Sequence, residues 1–244
     1  SEMCIRDSNM ASAHSQGPGV YALFASVKIA LAGPGWNLFA YHARVTQPVT
    51  QALLSISGYY TTIYGYDFGD SDDHWKVYDV TVPDVYHEVV NDLKTLEFGK
   101  GYWINVSQAI TLHLRSGAEE QITNYELRIT DQESGLPAPP ATFYGPVNGD
   151  GNWAPVPGMV VTAWIDGHVC GRTHTQQVGE HVVYAVNVLA EGTDSDGCGA
   201  PGKSVTFQVD GQVMEPLATW DDRKVWEVAL RLGGRIYLPL ILKH

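Results

Sequence analysis

The sequence predicts a mainly β protein built from two small domains. Three observations carry the prediction. Two glycine-aromatic motifs, Gly35-Trp36-Asn37-Leu38 and Gly99-Lys100-Gly101-Tyr102-Trp103-Ile104, read as strand openings. Glycine permits the positive φ of a tight turn, and the aromatic residue then enters a strand with a large side chain to bury. Two Asp-Gly pairs, Asp166-Gly167 and Asp210-Gly211, each sit between apolar β-prone runs, which is the strongest short-range hairpin signal. Charged residues make up only 17% of the chain and glycines number 25, a balance that favours strands and turns over helices.

At 244 residues the chain is long enough for two domains that each bury a core. Five segments are expected: residues 1–18 as an artefactual or disordered N-terminus, 19–115 as an aromatic-rich β module, 116–140 as a polar, Pro-rich linker, 141–232 as a disulfide-stapled β-sandwich, and 233–244 as an apolar tail. In the first module, over residues 26–32, Val27, Ile29 and Leu31 alternate with Lys28 and Ala30, the signature of a strand. The apolar stretch from Val20 to Ala32 mimics a signal peptide, but Lys28 lies inside it rather than before it. Residues 36–45 form the next strand. Pro48 and the spacing of Val49, Ala52, Leu53 and Ile56 predict one short helix stopped at Gly58. Residues 59–66 and 75–78 are strands flanking an acidic loop, and 85–96 is a second helix or an irregular excursion. Residues 102–106 and the alternation of Ile110, Leu112 and Leu114 close the module.

Proline clustering at 137–140 stiffens the linker, in which residues 125–130 could still pair as a strand. The second module reads as seven strands, at 142–147, 160–165, 168–175, 181–188, 204–209, 212–219 and 225–232. About seven short strands with regular turns indicate a two-sheet sandwich. Residues 236–244 are apolar, β-prone and too short to span a bilayer.

The net charge of −12 argues against nucleic acid as a partner, since phosphate binding needs clustered basic residues. A Ser nucleophile elbow, an H-E-x-x-H motif, a P-loop and a Rossmann fingerprint are all missing. No catalytic residue is assigned. Glu97, Asp79 and Asp92 lie near aromatics, but nothing separates them from surface acids. Asp67, Asp70, Asp72 and Asp73 could wrap a structural Ca²⁺ with hard oxygen ligands, or simply be solvated turn acids. Asp194-Ser195-Asp196-Gly197 is a weaker version of the same signal, and His168, His174 and His181 match no familiar metal spacing. No other cofactor is expected. Cys170 and Cys198 lie about 28 residues apart, each beside glycine, and are expected to form a disulfide that adds roughly 3–4 kcal/mol in the chain-entropy model.

Tyr59, Tyr60, Tyr64, Tyr66, Trp75, Tyr78, Tyr102 and Trp103 cluster in the first module. Tyr64, Tyr66, Trp75, Tyr102 and Trp103 are the candidate ligand-binding residues. Alternation puts Tyr64 and Tyr66 on one strand face and Tyr102 and Trp103 on opposite faces. Such rings either stack on a sugar from an exposed platform or form the core of a domain poor in aliphatics.

At these motifs the chain resembles modular secreted proteins of environmental bacteria. Residues 35–41 match a G-W-N-L-x-x-Y strand and residues 96–104 an L-x-x-G-x-G-Y-W-I strand, with Tyr64-Gly65-Tyr66-Asp67 and Trp75-Lys76-Val77-Tyr78-Asp79 between them. The second module resembles an immunoglobulin-like or transthyretin-like accessory sandwich through Phe143-Tyr144-Gly145, residues 161–167, Cys170-Gly171 and residues 205–211. The Tyr237-Leu238-Pro239-Leu240-Ile241-Leu242 ending is similar to the tails of such exported proteins, and residues 1–8 resemble a translated sequencing adapter. These resemblances imply accessory β modules with no fixed activity. The expectation is a non-catalytic, secreted or cell-surface structural or adhesive module, the C-terminal part of a larger exported protein. The alternative is a carbohydrate-binding accessory module of an upstream hydrolase. Polysaccharide or other cell-surface proteins are the expected partners, with no membrane span.

Overall fold

A computed structural model describes residues 3–5, 11–13, 26–115, 137–192 and 195–233. The linker and strand expected within 116–136, Asp194, and the tail beyond Gly233 lie outside the described residues, as does most of 1–18. The protein is mainly β, as the sequence predicts. At the start of the chain, β1 (Met3–Ile5) pairs antiparallel with β2 (Ala11–Ala13).

The first unit runs through β3 (Ser26–Leu31), β4 (Gly35–Ala40), β5 (Gln47–Pro48), α1 (Val49–Ala52), β6 (Tyr60–Tyr66), β7 (Trp75–Asp79), α2 (His87–Val90), β8 (Thr95–Leu96), β9 (Gly101–Val106) and β10 (Ile110–Arg115). A four-stranded antiparallel sheet in the order β4-β9-β6-β7 forms its centre. A β3–β10 pair and a short β5–β8 pair complete it. The predicted helix at Pro48 is a single α turn continued by a 3-10 turn at Leu54–Ile56. The excursion at 85–96 resolves into a 3-10 turn (Asp84–Tyr86), α2 and β8. Between α2 and β8 the chain runs beside β7 and takes up its outer edge: Val77 N donates to Asp92 Oδ1, Leu93 N to Val77 O, and Asp79 N to Asn91 Oδ1.

The central sheet is covered on both faces, which is why Thr62 through Gly65 are all buried. One face (Phe39, Ile63, Tyr102, Ile104, Val106) packs with Leu53, Ile56, Leu96, Leu112 and Leu114 into the core of the first unit. The opposite face presents Trp36, Tyr64, Tyr66, Trp75, Val77 and Trp103.

The second unit comprises β11 (Ala141–Asn148), β12 (Val160–Ile165), β13 (His168–His174), β14 (Gln176–Val178), β15 (His181–Val188), β16 (Ser204–Val209), β17 (Gln212–Thr219), β18 (Trp226–Glu227) and β19 (Leu230–Leu232). They form one nearly closed sheet in the order β13-β12-β16-β17-β19-β11-β15-β14, with β18 also on β11. Both Asp-Gly pairs make two-residue hairpin turns with positive φ at each central position, 48° and 87° at Asp166-Gly167 and 46° and 77° at Asp210-Gly211. That is the twist a right-handed strand pair requires.

Two findings refine the expected sandwich. Its two faces share β11, which pairs with β15 along most of its length and with β19 at Val147 and Asn148. The strand expected over 225–232 is split in two at Val228, and both pieces run parallel to β11. Gly145 explains the break. Val228 O lies 2.6 Å from where a Cβ on Gly145 would sit, so only glycine lets the two backbones meet where β11 changes face. Inward residues Phe143, Tyr184, Val186, Phe207 and Met214 fill the second core.

Candidate functional site

Several of the residues singled out in the sequence, among them Tyr64, Trp75, Trp103 and Asp73, lie at the seam between the two units. On the sandwich side, alternation along β11 and β15 turns Phe143, Tyr184 and Val186 inward and leaves Thr142, Tyr144, Ala185 and Asn187 outward. Tyr144, Ala185, Leu189 and Val225 cover the aromatic face of the central sheet and form a third buried cluster with Tyr64, Trp75, Val77, Val82 and Val90. The rings meet at angles that aromatic quadrupoles favour: Tyr64 and Trp75 are edge-on at 5.9 Å, and Tyr86 and Tyr144 pair across the seam at 5.3 Å.

A chain of hydrogen bonds crosses the same seam. The Tyr64 hydroxyl lies 2.7 Å from Thr142 Oγ1, and Thr142 Oγ1 donates to Asn187 Oδ1 at 2.6 Å. Since Thr142 gives its one proton to Asn187, Tyr64 is the donor in the first contact. Asn187 Nδ2 then donates to Trp75 O at 2.9 Å and to Asp73 Oδ1 at 3.0 Å. Burial raises the Tyr64 pKa far beyond its usual value, so its hydroxyl stays protonated and available to donate. A further contact, Asn105 Nδ2 to Arg223 O at 3.1 Å, ties β9 to the loop before β18.

The five aromatic candidates therefore do not form an exposed row. Tyr64 and Trp75 are buried in the seam, with Trp103 half-buried beside them. Tyr102 is buried on the other face, in the first core, where its hydroxyl accepts from Glu97 N. Burial pushes the Tyr102 pKa up to about 12. Tyr66 is half-buried at the seam's margin, stacked on His74 at 5.1 Å and edge-on to Phe68 at 4.7 Å. Phe68 itself is 79% exposed, the most open of the large apolar side chains among the described residues. The sequence reading did not single it out.

The acidic loop is held by its own carboxylates. Asp67 Oδ1 accepts from Gly69 N, and Asp70 Oδ1 accepts from the backbone N–H groups of Asp72 and Asp73. Asp70 Oδ2 pairs with Lys76 Nζ at 2.7 Å, and Asp73 faces Asn187. Asp72 is exposed. Hydrogen bonding to Lys76 and the two loop amides holds Asp70 down at about 2. Desolvation raises Asp73 despite the Asn187 contact, and raises Asp92 to about 6. Lys76 loses solvation, but Asp70, Asp73 and Asp92 outweigh that loss and raise its pKa. Among the described residues, no group of three or more His, Cys, Asp and Glu side chains is arranged to hold a metal ion. Asp79, wholly buried, accepts from Thr62 Oγ1, Thr81 N and Thr81 Oγ1, which makes it a structural carboxylate.

Cys170 on β13 and Cys198 form a disulfide with both residues buried. Lys203 Nζ clamps the loop carrying Cys198 by donating to Cys198 O at 2.9 Å and Gly197 O at 3.3 Å. His168 packs against Gly197 beside the bridge, while His174 and His181 are exposed on separate strands.

Among the described residues no helix is long and apolar enough to cross a membrane. In comparisons with known proteins, no family model, no curated protein and no solved structure matches the chain.

Proposed function

We propose that the chain is a non-catalytic, exported structural or adhesive module whose two units form a fixed spacer. The observation that carries this reading is the sealed seam. The aromatic face of the first unit is spent on the sandwich, and Thr142 and Asn187 fasten it with directional hydrogen bonds. A joint with a buried apolar centre and a polar network specifies one relative orientation, which is what a load-transmitting spacer requires. The buried disulfide supports residence in an oxidising compartment. The test combines small-angle scattering of the purified chain with glycan-array and insoluble-polysaccharide binding. One rigid conformer without saturable glycan binding is the expected result. Saturable glycan binding, or a flexible pair of units, would count against it.

A second reading, carbohydrate binding, draws on Phe68. It stands out from the acidic loop, backed by Tyr66 and His74, and an exposed ring beside carboxylates suits stacking on a sugar with hydrogen bonds to its hydroxyls. Loss of glycan binding in a folded Phe68→Ala variant would put this reading ahead.

A further inference from the structure

The seam holds more carboxylates than cations. Lys76 Nζ lies 2.7 Å from Asp70 Oδ2, 3.5 Å from Asp92 Oδ2 and 3.7 Å from Asp73 Oδ2, so three carboxylates share one ammonium. The groups around them do not redress the balance. On the α2 side, Glu88 pairs with Lys94 at the surface, and His87 meets the edge of Tyr78. On the loop side, His74 Nδ1 contacts Asp67 O. From the sandwich, β15 brings the neutral Asn187, and Asp222 lies with Asp79 and Asp92 in the field of the Tyr64 hydroxyl. Arg223 is engaged bidentately with Asp221, Nε donating to Oδ1 and Nη2 to Oδ2.

We propose that Asp92 is a proton-operated latch for the seam: on passing from neutral to mildly acidic pH its carboxylate takes a proton from solvent, and the two units dock more firmly in that form. The geometry supplies the route. Ionised Asp92 competes with Asp73 for Lys76, and Asp73, together with Trp75 O, holds Asn187 across the seam. A protonated Asp92 keeps accepting from Val77 N through Oδ1, so the backbone contact survives while the surplus charge is removed. Its side chain is 33% exposed, which gives the proton direct access from solvent.

Burial, with Asp73 adding to it, places the folded-state pKa at about 6 against 3.8 for the free side chain. The folded chain thus binds this proton more tightly than the unfolded chain. Stability from Asp92 is greatest below about pH 4 and declines as pH rises towards 6. Asp70 works in the opposite sense, because its pKa is depressed: its contribution is present above 3.8 and lost as pH falls towards 2. Together they set an optimum on the acid side of neutrality.

The experiment follows thermal unfolding and amide-exchange protection of the full chain from about pH 5 to about pH 7.5, with the Asp92 carboxyl carbon titrated by NMR. In the wild type, the melting temperature and protection at Trp75, Val77 and Asn187 fall as pH rises, the open seam becoming roughly 10-fold more populated across this window. Asp92→Asn is expected to flatten this dependence and to melt above the wild type at the upper pH, whereas His74→Gln retains it. A flat or rising wild-type profile, an Asp92→Asn profile like the wild type, or a carboxyl that titrates at about 4 or below would overturn the proposal. The carboxyl titration is made on the wild type, so it decides the matter even if the variant folds poorly.

Discussion

Asn187, on the outer face of the sandwich, reaches Asp73 of the acidic loop, its Nδ2 standing 3.0 Å from Oδ1. The contact joins two residues 114 positions apart in the chain. It is also one end of the polar path that runs through Thr142 to Tyr64, so one amide side chain fastens both an exposed loop and a buried ring.

Asn187→Ala removes the donor to Asp73 and Trp75 O and the acceptor for Thr142. It should lower stability by about 1–3 kcal/mol, as loss of partners for buried polar groups does. Chemical denaturation is the check, with scattering to show whether the two units then move apart.

Tyr64→Phe deletes only the hydroxyl that donates to Thr142. Thr142 keeps its own donation to Asn187, so the cost should stay near 1 kcal/mol. Tyr64→Ala empties a wholly buried ring site and should cost about 3–5 kcal/mol, by comparison with other large-to-small aromatic changes. A calorimetric series of the two variants separates ring packing from hydrogen bonding.

Replacing Cys170 and Cys198 together by Ala opens a loop with a sequence separation of 28. The expected loss is about 3–4 kcal/mol, read as a lower denaturation midpoint. Because both cysteines are buried, the native bridge should resist mild reductant until the chain is partly unfolded.

A Cβ on Gly199 would lie 1.9 Å from Trp220 Nε1, which donates to Val188 O. Gly199→Ala must displace that indole and break its hydrogen bond, at a cost of about 1–3 kcal/mol. A red-shifted tryptophan emission and a lower melting temperature would report the displacement.

Phe68→Ala touches an exposed ring and should change stability by no more than about 0.5 kcal/mol. That neutrality makes it the clean variant for any binding measurement at the acidic loop.

Local chemistry made much of the fold legible. The two Asp-Gly turns, the alternation of Tyr102, Ile104 and Val106, and the glycine before Trp36 each act within a few residues of sequence, and each has its predicted consequence in the structure. The split at Val228 was not legible, because it depends on how closely that carbonyl approaches Gly145 on a strand far away in sequence. The seam was hidden for the same reason. Tyr64 and Tyr66 do share a face, but only the position of β11 and β15 decides that this face is covered. Nothing adjacent to Asn187 or Lys76 marks either as a partner of Asp73, since their roles come from long-range register and not from spacing.

The outer edge of β7 has a consequence for life at high local concentration. A bare sheet edge is a template on which another chain can add a strand, and repetition of that step makes fibrils. Here Asn91, Asp92 and Leu93 already occupy the hydrogen-bonding positions of Val77 and Asp79, two of them through side chains that no incoming strand could replace in register. That side of the central sheet is closed to self-templated growth, so copies of the chain can crowd together without seeding one another there.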